Sequence, residues 1–219
     1  MQRPRMTLAP SDDGYPAGLL AVGSPTLRVE GCWPDLGGAV AVVGARGATR
    51  AGLGAASRLA RGLATAGRTV VSGGAIGIDG AAHHGALEGG ATLVVLGSGL
   101  DQPYPSRNFA LFERVVSGGA VASPFDDDAK PQPWRFLRRN RVMAALACAV
   151  VVVEADLRSG ALSTARAAVE LGRPVFAVTG SPGTDAIVER GAVAVQSPEE
   201  IIDWLRRSGE RPPCAPAME

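Results

Sequence analysis

The chain has 219 residues, 46% of them hydrophobic and 20% charged, with a formal net charge of +1. That is enough chain for one sizeable core, and the balance argues against a disordered or strongly polyionic protein. The three cysteines, Cys32, Cys148 and Cys214, are scattered without a C-x-x-C pair, so no disulfide framework and no metal site is expected.

The opening residues show no signal-like apolar region, and no apolar run approaches the ~18 residues of a membrane span. A soluble, cytoplasmic protein with no membrane contact is expected. Residues 1–35, punctuated by proline and glycine, read as a short lead-in. From residue 36 to 208 the chain alternates strand, glycine turn and helix. "GAVAVVGARG" is a buried strand ending in a glycine turn. "TRAGLGAASRLARGLATAG" has helical spacing, with Leu53, Leu59 and Leu63 as its apolar stripe and Gly67 as its C-terminal cap. "RTVVSGGAIGID" is a second strand and glycine turn, followed by the short helix "GAAHHGALEGG". "ATLVVLGSGLD" is a third strand. "PSRNFALFERVVSGG" is a helix capped by Ser106, and "AVASPF" a short strand. "FLRRNRVMAALACA" runs from an arginine-rich helix, with Cys148 in its core, into the strand "AVVVVEA". The helix "SGALSTARAAVELGRP", the strand and turn "VFAVTGSPG", a short helix, the strand "VAVQS" and a helix with Pro198 in its first turn complete the series. The tail, 209–219, reads as disordered.

Apolar strands without alternation, each followed by a glycine turn and a helix, predict an α/β fold: a doubly wound, mostly parallel sheet covered on both faces. Ligands in such sheets bind outside the carboxyl ends of the strands. Those ends carry "GARGAT", "SGGAIGID", "GSG" and "TGSPGT". Glycine lets backbone amides approach an anion, and each following helix offers a partly positive N-terminus, so a phosphate-binding rim is expected.

Charge is segregated along the chain. Residues 36–78 hold five arginines and no acid, and residues 129–153 hold five basic residues and no acid. Together they carry 10 of the 22 basic residues, leaving the remainder formally at −9. If the two stretches meet in space they form an electrostatic footprint, although Arg58, Arg61 and Arg68 read as helix-surface residues. Arg46 sits in the first turn, facing the ligand edge. Arg138 and Arg141 share a face at the start of their helix. Because that helix precedes the fifth strand, its start is expected away from the carboxyl edge unless the loop before it folds over. Phe136 beside them serves either as a stacking ring or as core.

Several enzyme classes lack their motifs. Gly44-Ala45-Arg46-Gly47 is not G-x-G-x-x-G, and no acid follows within ~20 positions, so no dinucleotide cofactor is expected. Lys130 is the only lysine and no P-loop exists; G-x-S-x-G is absent too. Asp79 and His83, four apart on one helix, suit a structural hydrogen bond better than catalysis.

The elements SG-x-A-x-GID-x-x-AH, GSGLD-x-x-YP, RRNR and SG-x-L-x-TA occur here together and in order. From about Tyr15 to Ile202 the chain resembles the DNA-processing protein A family, DprA or Smf. The resemblance implies an extended Rossmann-like fold. It also implies sequence-independent binding and protection of single-stranded DNA, help in loading a RecA-type recombinase during natural transformation and recombination, a homodimer, and no catalytic reaction or cofactor.

Carried over by position, the family's Gly-Ser-Arg is Gly44-Ala45-Arg46, without the serine hydroxyl. Its RNR is Arg139-Asn140-Arg141, and Phe136 stands in the usual aromatic place. The expected DNA-contacting residues are Gly44, Ala45, Arg46 and Thr49; Ser72, Gly73 and Gly74; Gly97, Ser98 and Gly99; Phe136, Arg138, Arg139, Asn140 and Arg141; and Ser159 and Gly160. Thr179 and Asp185 replace the family's proline and asparagine in a shortened loop. Ser123-Pro124 replaces its Ser-Glu, and the acids Asp126, Asp127 and Asp128 follow, where they are expected to weaken or narrow the groove. The chain reads as a minimal form without the N-terminal helical and winged-helix modules. The alternatives are a nucleotide-processing enzyme resembling the LOG phosphoribohydrolases, with Glu154 and Glu170 as its acids, or a nucleotide-sensing module. "RSGALSTARAAVE" lacks the PGG-x-GT-x-x-E signature of the former.

Overall fold

Short runs of valine and alanine form the middle of one sheet, every residue of them buried because helices cover both faces. The computed structural model describes residues 5–209. Its strands are β1 (Arg5–Leu8), β2 (Leu27–Gly31), β3 (Val40–Val43), β4 (Val70–Ser72), β5 (Thr92–Val95), β6 (Ala120–Ser123), β7 (Ala149–Val152), β8 (Val175–Ala177) and β9 (Val193–Ala194). Its helices are α1 (Arg50–Thr65), α2 (Ile78–Gly89), α3 (Phe109–Gly118), α4 (Pro133–Leu146), α5 (Ala161–Glu170), α6 (Pro182–Val188) and α7 (Pro198–Arg207). The sheet order is β1-β2-β6-β5-β4-β3-β7-β8-β9. Strands β3 to β9 pair in parallel, whereas β1 and β2 add on antiparallel beside β6.

The expected doubly wound α/β sheet is therefore present. Residues 5–31, within the expected lead-in, supply its two antiparallel strands and a 3-10 turn over Ala17–Val22. Leu8, Leu19, Leu27 and Val29 from this segment join the same core as α4 and α5. From residue 210 on, the tail expected to be disordered lies outside the described residues.

Helices α1, α2 and α7 bury one face of β3, β4, β7 and β8, and α3 continues that layer over β5 and β6. Helices α4 and α5 cover the other face. Winding runs from β3 through β6 in one direction, then α4 crosses to β7 and the order reverses. The switch point is thus the crevice between the carboxyl ends of β3 and β7. As the crossover from β6 to β7, α4 begins at the carboxyl edge and runs antiparallel to the strands. This corrects the expectation that its start lies away from that edge.

Local signals hold with small changes. Thr49 caps α1 by accepting from the Gly52 amide at 3.0 Å, and Gly67 ends it at φ +78° with its amide on Ala64 O. Leu59 and Leu63 are buried, but Leu53 stays 36% exposed, so the apolar stripe is narrower than read. Ser106 does not cap α3: Ser106–Asn108 form a 3-10 turn, and the helix begins at Phe109.

Helices α1 and α2 approach closely because α2 carries glycine at the contact. A Cβ at Gly85 would collide with the Ser57 carbonyl, and one at Gly89 would stand 2.6 Å from Arg61 O. The obstacles are backbone and cannot swing aside. Gly85→Ala is expected to destabilise the fold by about 3 kcal/mol, the upper range for overpacking. For a domain this size a thermal melt should then shift down by roughly 6–12 °C.

Candidate nucleic-acid interface

At the switch point lies an open cleft of about 510 Å³. Its walls are the turn after β3 (Gly44, Ala45, Arg46, Gly47), the first half of α4, and the segment Asp156 to Ala161 that enters α5. The two acid-free, arginine-bearing stretches of the sequence therefore meet here. α4 carries its residues across the carboxyl ends of three strands. Phe136 packs over Gly97, beyond β5, where a Cβ would stand 2.5 Å from the ring. Arg139 reaches Val95 O at 2.8 Å and Gly73 O, bridging β5 and β4. Asn140 donates to Ser163 Oγ at 2.7 Å and to Gly160 O, tying α4 to the start of α5.

Arg46 is exposed and makes no ion pair among the described residues. Its guanidinium carbon lies 5.6 Å from the Phe136 ring centroid, and that of Arg139 lies 5.8 Å from it. Tyr104 contacts the same ring, with centroids 5.8 Å apart. A half-buried aromatic ring is thus held beside one exposed and one buried cation.

Arg139 is only 5% exposed. Burial pulls its pKa down to about 10, opposed by the charge of Asp79, so it remains a cation at neutral pH. Asp79, at the cleft floor, is 6% exposed. Burial raises its pKa, while the Arg139 charge and the Ala75 and Gly44 amides act the other way. Asp79 and His83 do not pair. His83 Nδ1 meets Thr92 Oγ1 at 2.8 Å, and that hydroxyl donates to Val70 O, so the ring nitrogen carries the proton.

Burial, aided by the charges of His84 and Arg139, lowers the His83 pKa to about 3. An unfolded histidine takes its proton near ~6.5. Below that value the unfolded chain binds a proton that the fold refuses, so stability is lost as pH falls from about 6.5 toward 3. The slope is about 1.4 kcal/mol per pH unit. Urea melts of wild type and His83→Gln at pH 7 and pH 5 should show wild type losing about 2 kcal/mol more than the variant.

The helix N-termini at this edge divide into two kinds. At α1 the Glu154 carboxylate accepts from the Thr49 amide at 3.0 Å and from Thr49 Oγ1 at 2.7 Å. Gly52 makes room for it, since a Cβ there would overlap Glu154 Oε2. At α2 the carboxylate is Asp79, and at α6 Asp185 accepts from the Gly180 amide at 2.8 Å. These N-termini are neutralised by the chain itself. α4 and α5 carry no acid in their first turns, and both border the cleft.

The expected contact residues separate accordingly. Gly44, Ala45, Arg46, Phe136, Ser159 and Gly160 line the cleft with accessible surface. Ser72, Gly73, Gly74, Gly97, Ser98, Gly99, Arg139 and Asn140 are buried. The glycines among them serve close packing: a Cβ on Gly73 would overlap the Arg139 guanidinium, and one on Gly99 would overlap the Asp126 and Asp127 carbonyls. Ser72 Oγ donates to Val42 O at 2.6 Å. The expected cradle of turn amides is likewise turned inward, with Ala45 N on Glu154 O and Gly99 N on Ala129 O, each at 2.7 Å. Thr49 is committed to Glu154. Arg141 pairs with Glu170 at 2.5 Å, and Arg138 lies on the far side of α4 over Phe125.

Asp126 and Asp127 pair with Arg28 at 2.6 and 3.9 Å, and Asp126 and Asp128 line a different groove, so the cleft is not narrowed by these acids. Sequence reasoning missed Tyr104, Arg158 and Asp79 as cleft or ring-contacting residues. For Arg158 the signal was its position beside Ser159; for the other two only the fold supplies it.

Comparison with known proteins agrees with this architecture. The family model of DNA recombination-mediator protein A matches residues 6–206. Protein Smf of Escherichia coli is 41% identical over 218 residues, covering 94% of this chain and 58% of its own. The chain spans roughly half the length of the curated relatives it matches. DNA processing protein A of Streptococcus pneumoniae superposes with a TM-score of 0.84 at 34% identity, covering 93% of this chain and 74% of that one. The corresponding Helicobacter pylori protein, whose structure was described for its single-stranded DNA binding mode, gives 0.82 at 29% identity, covering 94% and 97%.

Proposed function

The chain belongs to the DNA recombination-mediator protein A family, and from that premise we propose that it binds single-stranded DNA in the switch-point cleft and serves DNA processing in transformation and recombination. The observation that carries this is the pairing of an exposed Arg46, without an ion pair among the described residues, with the Phe136 ring at the crevice where doubly wound sheets bind ligands. A guanidinium is suited to a phosphate and a ring to a base face, and neither reads sequence. Arg158 and the acid-free N-terminus of α5 extend the positive side of the cleft. The likeness to the Helicobacter pylori protein supports the same assignment.

Phosphate is held by arginines rather than by the Ala45, Gly99 and Gly180 turn amides, which already have partners. Binding rather than catalysis is the activity. The two acids a nucleotide hydrolase would use are engaged, Glu154 at the start of α1 and Glu170 with Arg141. The chain acts in the cytoplasm as a homodimer that passes its strand to a RecA-type recombinase. These three features rest on the family relationship; sedimentation and a RecA filament-assembly assay test the last two. Among the described residues no helix is long and apolar enough to cross a membrane.

Fluorescence anisotropy with a labelled single strand and its duplex, at two salt concentrations, tests the reading. Preference for the single strand with affinity falling as salt rises is expected. Equal binding of both forms, or none at low salt, would overturn it.

A further inference from the structure

We propose that the outer face of α4, centred on Trp134 and Arg138, is a second single-stranded DNA station, taking the strand as it leaves the cleft. The inference rests on the cleft being a DNA site. Phe136, Arg139 and Asn140 occupy the inner face of α4, while Trp134, Leu137, Arg138 and Arg141 lie along the opposite, exposed face. Trp134 is 50% exposed, a large ring to leave in water. It is nevertheless held in place. Its Nε1 donates to Gln132 Oε1 at 2.6 Å, and its edge meets the Phe125 ring at 90° with centroids 5.8 Å apart.

Cations frame this ring. Arg135 lies 5.0 Å from its centroid, and Arg138 lies 5.9 Å from that of Phe125. Neither makes an ion pair among the described residues. The groove also holds Asp126 and Asp128; Arg28 pairs with Asp126. The free charge beside the ring is therefore mainly positive, and the acids lie on the β2 side of the groove.

A fixed, half-exposed ring with guanidiniums around it is the pattern by which sequence-tolerant proteins hold a single strand. An acidic peptide would use the cations but has no need of a held indole. Continuity supports DNA as the occupant, since the station and the cleft lie on opposite faces of one helix, with Leu137 between them at the cleft edge.

The test compares labelled oligothymidylates of about 6 and about 20 nucleotides, one short enough to fill a single site and one longer than the largest single-site footprint. Trp134→Ala combined with Arg138→Ala should weaken the longer oligonucleotide about tenfold and the shorter less than about twofold, whereas Arg46→Ala should weaken both. Arg138→Ala alone alters one exposed side chain and serves if loss of Trp134 disturbs Phe125. It should weaken only the longer strand and reduce the magnitude of its salt slope by about 0.7. Unchanged affinity for the longer strand, or equal loss at both lengths, overturns the station while leaving the cleft intact. Wild type binding neither oligonucleotide overturns the cleft reading and the station with it.

Discussion

Replacing Arg139 by methionine is expected to destabilise the fold by about 3–5 kcal/mol, the range for breaking a buried charge pair from one side. Methionine keeps much of the volume but leaves Gly73 O and Val95 O without their donor and Asp79 buried without the cation whose charge most offsets its burial. A domain of this length should melt roughly 6–20 °C lower. Adding Asp79→Asn should recover part of the loss, because it removes the charge left stranded; a double-mutant cycle measures how much. If instead the single variant melts like wild type and loses only DNA affinity, Arg139 contacts DNA and its inward geometry is not the solution state.

Arg46→Ala should have the opposite profile. The side chain is exposed and has no ion pair among the described residues, so stability should move by no more than about 0.5 kcal/mol. A charged hydrogen bond to phosphate is worth about 1.5–3 kcal/mol, which corresponds to roughly a 10- to 100-fold loss of single-strand affinity. The salt slope should lose about 0.7 in magnitude, the share of one phosphate contact on a single strand. Arg141→Ala is the control. Its guanidinium is spent on Glu170, both side chains being about half exposed, and its loss should change affinity by less than about threefold. Anisotropy titrations of the three proteins decide the matter. Equal losses for Arg46→Ala and Arg141→Ala would show that general charge, not the Arg46 and Phe136 pairing, holds the strand.

The contrast between these arginines marks what could be read along the chain. Local features were legible: the valine runs as two-face-buried strands, the glycine ending α1 at Gly67, the alternation that makes a doubly wound sheet, and the concentration of arginine in two acid-free stretches. Each depends on neighbours within a helical turn or a strand, and periodicity reports those directly.

Whether an arginine points outward or inward was not legible. In "RRNR" the two members three apart, Arg138 and Arg141, share the outer face, while Arg139 turns under the helix. Only the carbonyls of Gly73 and Val95, 66 and 44 residues away, make that burial affordable. The glycine turns read as phosphate cradles for the same reason. Glycine signals a close approach but does not name what approaches. At Gly52 it is Glu154, at Gly73 Arg139, at Gly97 Phe136. Sequence alone thus determined the alternating elements from residue 36 on, the two-layer cover of the sheet and the stretches where positive charge concentrates, but not the two antiparallel strands of residues 5–31. The tertiary structure decided which polar groups are desolvated and by whom they are satisfied, because that depends on pairs far apart in the chain whose energies no local pattern records.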